Sequence, residues 1–135
     1  MVVSGQTDFQ QVATQDWDNG KAQSRMDSLL AANYSDKPVD GVLSPNDGIA
    51  RAIITSCKGA GQDIPVVDGL DAETESIKSI WAGEQYSTVH KPTKDLVAKT
   101  VEIIAAFQKG EEAPAAEESE NNGVIDVPIY ALDPI

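Results

Sequence analysis

The chain has 135 residues and carries 22 acidic against ten basic side chains, a formal net charge of −12 at pH 7. This acidity disfavours nucleic-acid binding, which needs a basic face to neutralise phosphates, and it opposes attachment to an anionic membrane surface. The length corresponds to one domain with a single core, and no apolar run approaches the roughly 20 residues that span a bilayer.

Apolar runs alternate with helical patterns along the chain, which indicates βα units and a parallel sheet. Strands are predicted at residues 2–3, 39–43, 64–67 and 86–90. Helices are predicted at residues 18–33, 48–58, 72–82 and 92–109. The fold class is therefore predicted as α/β, a three-layer, doubly wound and mostly parallel sheet with helices on both faces.

The helical spacing of the apolar residues predicts which side of each helix is buried. The predicted inward residues are Ala22, Met26, Leu29 and Leu30 of the first helix, Ile77, Ile80 and Trp81 of the third, and Leu96, Val97, Val101, Ile104 and Phe107 of the fourth. Cys57 is the only cysteine and lies on the apolar face of the second helix. We expect it to be a buried thiol that packs as a small hydrophobic side chain.

The composition of the chain changes after residue 110. Residues 111–122 are rich in Glu and contain no large apolar side chain, which is typical of a solvated loop. Alternation resumes at Val124, but Pro128 and Pro134 restrict this segment to a sheet edge or a crossing. We therefore predict an α/β lobe at residues 1–110, an acidic loop at 111–123 and a crossing or edge segment at 124–135. A strand that begins at the second residue suggests a lobe cut from a longer protein.

Polar clusters follow three of the predicted strands, at residues 44–48, 68–73 and 88–92. In an open α/β sheet, side chains at the carboxyl ends of the strands converge on one crevice, where ligands bind. Asn46, Asp71 and Lys91 would bring an amide, a carboxylate and an ammonium group to that crevice. This set suits a neutral polyhydroxylated molecule, whose hydroxyls both donate and accept hydrogen bonds. The pattern therefore predicts sugar recognition.

Trp17 lies in a polar loop just before the first predicted helix. Burial of a Trp ring stabilises a protein by about 2 kcal/mol or more, so an exposed Trp in a loop calls for a function. Stacking on the apolar face of a pyranose ring supplies one.

Each candidate also has a purely structural interpretation, and these interpretations stay open. Asn46 and Asp47 both suit a turn followed by a helix cap, and we expect Asp47 to be the cap, which leaves Asn46 for a ligand. Asp68 is expected to serve its own turn, and Lys91 is equally compatible with an ordinary surface lysine. His90 is expected to face the other way along its strand.

The residue patterns do not predict catalysis. Asp68 and Asp71 form no recognisable acid–base pair, and the sequence has no Ser/His/Asp set, paired-Cys motif or metal-ligand spacing. We therefore predict that the chain is not an enzyme and uses no catalytic residue, no metal and no cofactor.

Assembled in order, these residues resemble the C-terminal lobe of the periplasmic-type monosaccharide-binding proteins of ABC transporters, nearest to the xylose-binding and multiple-sugar-binding branch. The segments that carry the resemblance are Ser4-Gly5-Gln6-Thr7-Asp8, Trp17 with the helix at residues 22–30, Ser44-Pro45-Asn46-Asp47-Gly48, Asp68-Gly69-Leu70-Asp71-Ala72-Glu73, residues 77–83, Thr88-Val89-His90-Lys91-Pro92 and the tail at residues 121–134. The resemblance implies that Trp17 stacks on the sugar ring and that Asn46, Asp71 and Lys91 hydrogen-bond its hydroxyls.

The resemblance also implies what the chain lacks. Family members have two lobes joined by three crossing segments and trap sugar by hinge closure, whereas this chain corresponds to one lobe. If a complete receptor binds at about micromolar affinity, loss of half of that binding energy leaves about millimolar affinity. The implied partners are a pentose or hexose, the missing N-terminal lobe and the transporter permease, in a periplasmic or extracellular location. A segment 124–135 without its packing surface would permit strand exchange between two copies.

Other functions stay as alternatives. The effector lobe of a lac-repressor-like transcription regulator has this fold and similar sugar contacts, but no hydrophobic dimer face is clear in the sequence. A phosphoacceptor receiver domain also ends a strand with Lys-Pro, but it needs two adjacent acidic residues after its first strand, where this chain has Ser4-Gly5-Gln6-Thr7. A carbohydrate-acting enzyme is weaker still.

Overall fold

The computed structural model describes residues 9–114, 116 and 118–129. The chain divides into two compact units between Lys91 and Pro92. The N-terminal unit contains a short 3-10 helix at Gln15–Trp17, α1 at Asn19–Asn33, β1 at Gly41–Val42, α2 at Asp47–Gly59, β2 at Val66–Val67 and α3 at Thr74–Trp81. The C-terminal unit contains α4 at Thr93–Lys109, β3 at Glu118–Asn121 and β4 at Asp126–Ile129. The strand predicted at residues 2–3 and the last six residues lie outside the described part of the chain.

The sheet of the N-terminal unit is parallel, as the alternation of strands and helices predicts. β1 pairs in parallel with β2. The chain after β2 then pairs with the segment around Val89, because the Tyr86 N–H donates to the Val67 carbonyl over 2.8 Å and the Val89 N–H donates to the Gly69 carbonyl over 3.1 Å. A parallel bridge joins Leu70 to Val89. Three chain segments therefore run side by side in the order in which they occur in the sequence.

The strand predicted at residues 86–90 is reduced to this bridge. The Gln85 side chain explains the difference, since its Nε2 donates to the Ser87 carbonyl over 3.0 Å and so occupies a backbone acceptor that a longer ladder would use. β1 and β2 are also shorter than the predicted strands.

α1 and α2 pack together and form the core. Ala22, Met26 and Leu30 of α1 are buried as predicted, whereas Leu29 is half-buried. α1 begins where the Asp18 carboxylate accepts a hydrogen bond from the Lys21 N–H over 2.7 Å, which satisfies a donor that the first turn leaves unpaired. Beyond α2, Gly61 adopts a φ of 68°, a backbone conformation that favours glycine after a helix. The buried apolar residues are Ala22, Met26, Leu30, Ile49, Ala50, Ala52, Ile53, Ile54, Cys57 and Val67.

Cys57 is 1% exposed, which confirms the predicted buried thiol. Burial raises the pKa of the Cys57 thiol above its ordinary value of 9.0, although a backbone hydrogen bond opposes the shift. The folded chain therefore holds this proton more tightly than the unfolded chain, and the thiol's contribution to stability is complete below pH 9.0.

Above that pH we expect Cys57 to lower the free energy of unfolding by up to about 1.4 kcal/mol per pH unit, until the folded-state pKa is reached. Urea unfolding between pH 7 and pH 10 checks this expectation. The Cys57→Ala variant should show a smaller loss over the same range, and identical slopes for the two proteins would contradict it.

The predicted burial of the α3 and α4 apolar faces is wrong in this structure. Trp81 is 93% exposed and Ile77 is half exposed, whereas the buried residue of α3 is Ser76, whose hydroxyl accepts a hydrogen bond from Arg51 of α2 over 3.2 Å. Arg51 also pairs with Glu73 over 2.6 Å. Polar contacts therefore decide which face of α3 meets α2, and the apolar side chains of Ile77 and Trp81 are left exposed.

α4 buries none of its residues. Its predicted inward side chains are 46% to 62% exposed, because the regular elements described in its own unit are only β3 and β4, and β3 is exposed along its whole length. Gly110 ends α4 with a φ of 74°, as its position predicts.

Part of the predicted acidic loop is a strand. β3 pairs with β4 in an antiparallel hairpin, whose turn is held by Asn122 Oδ1 accepting hydrogen bonds from the N–H groups of Val124 and Ile125. The prediction of a loop at 111–123 is therefore wrong for β3, whose four residues are exposed as predicted. Within the described residues, every helix is too short or too polar to cross a bilayer.

Candidate functional site

The three predicted polar clusters meet at one edge of the N-terminal unit. The Ser44 N–H donates to Asp68 Oδ1 over 2.6 Å, which joins the turn after β1 to the turn after β2. The Ala72 N–H donates to Thr88 Oγ1 over 3.1 Å, which joins the turn after β2 to the segment before Lys91. Asp68 therefore does serve the turns, and it does so across two of them. All three turns follow the carboxyl ends of parallel segments, where the sheet geometry predicts a crevice.

Asp71 and Lys91 contact each other directly. Lys91 Nζ lies 2.6 Å from Asp71 Oδ1, and the two side chains are 49% and 30% exposed respectively. An ion pair of this exposure contributes at most about 1 kcal/mol, so a ligand can rearrange it at low cost. The structure thus brings together the carboxylate and the ammonium group that the sequence singled out.

The backbone at Asp71 and Ala72 is strained. Their φ angles are 114° and 53°, in a region that non-glycine residues rarely adopt. Such residues cost about 1–3 kcal/mol each and persist where the surroundings hold them. Here the Asp71 N–H donates to the Val89 carbonyl over 2.9 Å, in addition to the bond between Ala72 and Thr88. These bonds hold Asp71 in a conformation in which its carboxylate contacts Lys91.

Asn46, and not Asp47, caps α2, so the predicted assignment of the cap is wrong. Asn46 Oδ1 accepts a hydrogen bond from the Ile49 N–H over 2.8 Å. Asp47 is unavailable for this role because its carboxylate points inward and is fully buried. Asn46 is half-buried at the same edge as Asp71. Since the cap engages Oδ1, Asn46 offers a ligand chiefly its Nδ2 donors.

Trp17 is 60% exposed and ends the 3-10 helix before α1. Its segment reaches the site edge through Asn19, whose amide lies so close to Gly48 that a Cβ there would come within 2.9 Å of it. The start of α1 therefore abuts the start of α2, next to Asn46. No hydrogen bond links Trp17 to the other three candidates in the described part of the chain, so only its segment is placed at this edge.

Sequence reasoning missed two buried polar groups below these turns. The Asp47 carboxylate accepts hydrogen bonds from the Glu73 N–H over 2.8 Å and from Gln85 Nε2 over 3.0 Å. Asp47 is fully buried and Gln85 is 2% exposed. Gln85 carries no local sequence signal because its partner lies 38 positions earlier in the chain.

A cavity of about 540 Å³ lies away from this edge. It is lined by the later turns of α1 and α2 and by the segments that follow them, including Asp27, Ser35, Thr55 and Gln62. None of the four candidate residues lines it. Among the residues that the structure describes, no group of three or more His, Cys, Asp or Glu side chains is arranged to hold a metal ion.

Comparison with known proteins identifies the family of the chain. A family model described as a periplasmic binding protein domain matches residues 2–112. The chain belongs to the periplasmic binding protein family. The predicted resemblance is therefore confirmed at family level.

Several curated members of the periplasmic binding protein family are similar to this chain. It is 45% identical to the multiple sugar-binding periplasmic receptor ChvE of Rhizobium radiobacter, with all of this chain and 40% of the receptor covered. It is 48% identical to the multiple sugar-binding periplasmic protein SbpA of Azospirillum brasilense, with 99% of this chain and 39% of that protein covered. A D-xylose-binding periplasmic protein of Haemophilus influenzae is 38% identical, covering 88% and 35%. The chain thus spans about two fifths of the length of these relatives.

Two solved structures of solute-binding proteins confirm the α/β fold class. An ABC transporter solute-binding protein from Clostridium phytofermentans with bound β-D-glucose superposes with a TM-score of 0.76 at 33% identity, covering 93% of this chain and 40% of that one. A carbohydrate transporter solute-binding protein from Chloroflexus aurantiacus in complex with D-glucose superposes with a TM-score of 0.71 at 34% identity, covering 87% of this chain and 35% of that one. These proteins are named as solute-binding proteins of transporters and not as transcription regulators, receiver domains or enzymes.

Proposed function

We propose that the chain forms one sugar-binding lobe of a periplasmic receptor that delivers a monosaccharide to an ABC importer. The observation that carries the proposal is the ion pair of Lys91 and Asp71, 2.6 Å apart at the edge where three turns of a parallel sheet meet. The named sugar-binding activity of ChvE and SbpA supports the ligand class. The names of these relatives support the periplasmic location, and the ABC transporter solute-binding protein from Clostridium phytofermentans supports the permease partner.

Each of the four side chains has a separate role in this proposal. Trp17 presents an exposed ring for stacking on the apolar face of a pyranose. Asp71 accepts hydrogen bonds from sugar hydroxyls, while Lys91 donates to hydroxyl oxygens, and Asn46 adds the donors of its amide. A neutral sugar suits this set because one acceptor group, Asp71, and two donor groups, Lys91 and Asn46, lie at one edge. The charges of Asp71 and Lys91 cancel, so the edge favours neither an anion nor a cation.

A second lobe completes the site in the full receptor. One wall supplies only part of the contacts, so the 135-residue chain is proposed to bind monosaccharide with about millimolar affinity. The same proposal divides the chain into a sugar-binding lobe at residues 1–110, an acidic segment at 111–123 and a crossing segment at 124–135. It also includes strand exchange between two copies of the chain.

Replacement of Asp71 by Asn is expected to weaken binding of D-glucose or D-xylose by about tenfold or more, because the carboxylate accepts stronger hydrogen bonds than an amide and also orients Lys91. The Lys91→Met variant should lose a similar factor. Calorimetric titration at high protein concentration measures both changes.

The Glu75–Lys78 pair of α3 provides the matched control, since it is an exposed ion pair of 2.7 Å within one helix. Glu75→Gln and Lys78→Met should leave the affinity unchanged. Micromolar binding by the unmodified chain would contradict the single-wall proposal. Unchanged binding by Asp71→Asn would contradict the proposed site.

A further inference from the structure

One carboxylate lies entirely below the proposed site. Asp47 is fully buried, and its two oxygens accept from different turns: Oδ2 from the Glu73 N–H over 2.8 Å and Oδ1 from Gln85 Nε2 over 3.0 Å. Its own N–H donates to the Leu70 carbonyl over 2.9 Å. A single residue at the start of α2 is therefore bonded to the turn that carries Asp71 and to the segment that leads to Lys91.

Gln85 extends this connection towards Lys91. Its Nε2 donates both to Asp47 Oδ1 and to the Ser87 carbonyl over 3.0 Å. Its Oε1 is buried and has no partner among the described residues. Rotation of the amide by half a turn would place Oε1 against two acceptor oxygens, so the Asp47 carboxylate determines which way the amide points.

Gly69 shows that the chain leaves room for this contact. A Cβ at Gly69 would collide with the Asp47 carboxylate and lie 2.6 Å from Gln85 Nε2. A residue without a side chain is therefore required where the turn passes over the pair. The arrangement is closely packed on the side that faces the proposed sugar-binding edge.

We propose that Asp47, acting through Gln85 and the Glu73 N–H, is the positioning residue of the sugar-binding edge. A carboxylate is suited to this role because it has two acceptor oxygens, whereas an amide has one. Burial of a charge is unfavourable unless hydrogen bonds compensate it. Here one bond runs to the turn that carries Asp71 and the other to the segment that leads to Lys91. Asp47 touches no ligand in this proposal and acts by holding those two side chains at one place. The ligand part of the proposal rests on the proposed function; the structural part does not.

The Asp47→Asn variant tests the proposal in the full chain. Its Nδ2 would face a donor, either the Glu73 N–H or Gln85 Nε2, so the variant must lose the Glu73 bond or turn the Gln85 amide away from the Ser87 carbonyl. Residue-resolved amide hydrogen exchange should show exchange about tenfold or more faster at Asp71, Glu73 and Val89. Amides in the middle of α2, such as that of Ile53, should keep their rates. The control variant Asp63→Asn removes the same charge from an exposed position and should change neither set.

Sugar titration of the same variants supplies the second readout. Asp47→Asn should weaken binding of D-glucose or D-xylose by about tenfold, and adding Lys91→Met should cause little further loss, because both changes remove the same contact. Additive losses would overturn the positioning role. Equal acceleration of exchange at Ile53 and Glu73 would also overturn it, since Asp47 would then serve global stability alone. Selective acceleration in a chain that binds no sugar would support the positioning role and contradict the proposed function.

Discussion

Replacement of Gly69 by alanine is expected to lower the free energy of unfolding by about 3 kcal/mol. The added methyl group would collide with the Asp47 carboxylate and approach Gln85 Nε2 to 2.6 Å. Relief of the collision requires Asp47 or Gln85 to move, and movement of either leaves a buried polar group without its partner. Urea unfolding followed by circular dichroism measures the change.

Gly59→Ala is the matched control for this prediction. Gly59 is the last residue of α2, and a Cβ there would meet nothing within 4 Å. Because alanine favours a helix over glycine by about 1 kcal/mol at most, this variant should be neutral or slightly more stable than the original chain. Equal stability of the Gly69→Ala and Gly59→Ala variants would show that the packing at Gly69 is not restrictive.

Replacement of Trp17 by alanine is expected to weaken monosaccharide binding by about 30-fold, equivalent to about 2 kcal/mol. The reason is the loss of ring stacking from a side chain that is 60% exposed and so available to a ligand. The folded structure should be little affected, since most of the Trp17 surface is exposed. Calorimetric or fluorescence titration with D-glucose and D-xylose measures the loss.

Trp81 provides a closely matched control for Trp17. It is the second tryptophan of the chain, it is 93% exposed, and it lies at the end of α3. Trp81→Ala should leave the affinity unchanged, and sugar should alter the fluorescence of the Trp81→Ala variant but not that of Trp17→Ala. The reverse pattern would move the sugar away from the predicted edge.

The helices that make the core could be predicted closely from the sequence. Spacing of Ala22, Met26 and Leu30 indicates one buried face, and the bounds of α1 and α2 lie within one residue of those predicted. The reason is local: these helices carry a regular apolar stripe, a capping residue at the start and, after α2, a glycine near the end.

The burial of α3 and α4 could not be predicted in the same way. Periodicity shows which face is apolar, but not whether another element covers it. For α3, the hydrogen bond between Arg51 and Ser76 decides the orientation, and these residues lie 25 positions apart. The strand predicted at 86–90 failed for a similar reason, because the side chain of Gln85 takes over a backbone acceptor.

In the candidate site, too, only those features could be predicted that depend on residues close together in the sequence. The polar turns after the strands predicted where Asp71 and Lys91 lie, since parallel strands end at a common edge. The sequence predicts Asp47 rather than Asn46 as the cap of α2, because both residue types suit that position. Only the buried bonds of Asp47 to Glu73 and Gln85 distinguish the two residues.

The central claim is that the edge formed by these turns receives a monosaccharide, and an NMR titration of the ¹⁵N-labelled chain with D-glucose tests it most directly. We predict shift changes concentrated at Trp17, Asn46, Asp71 and Lys91, with saturation at about millimolar sugar. Changes centred on the cavity near Asp27, Thr55 and Gln62, or no change at about 100 mM sugar, would contradict the claim.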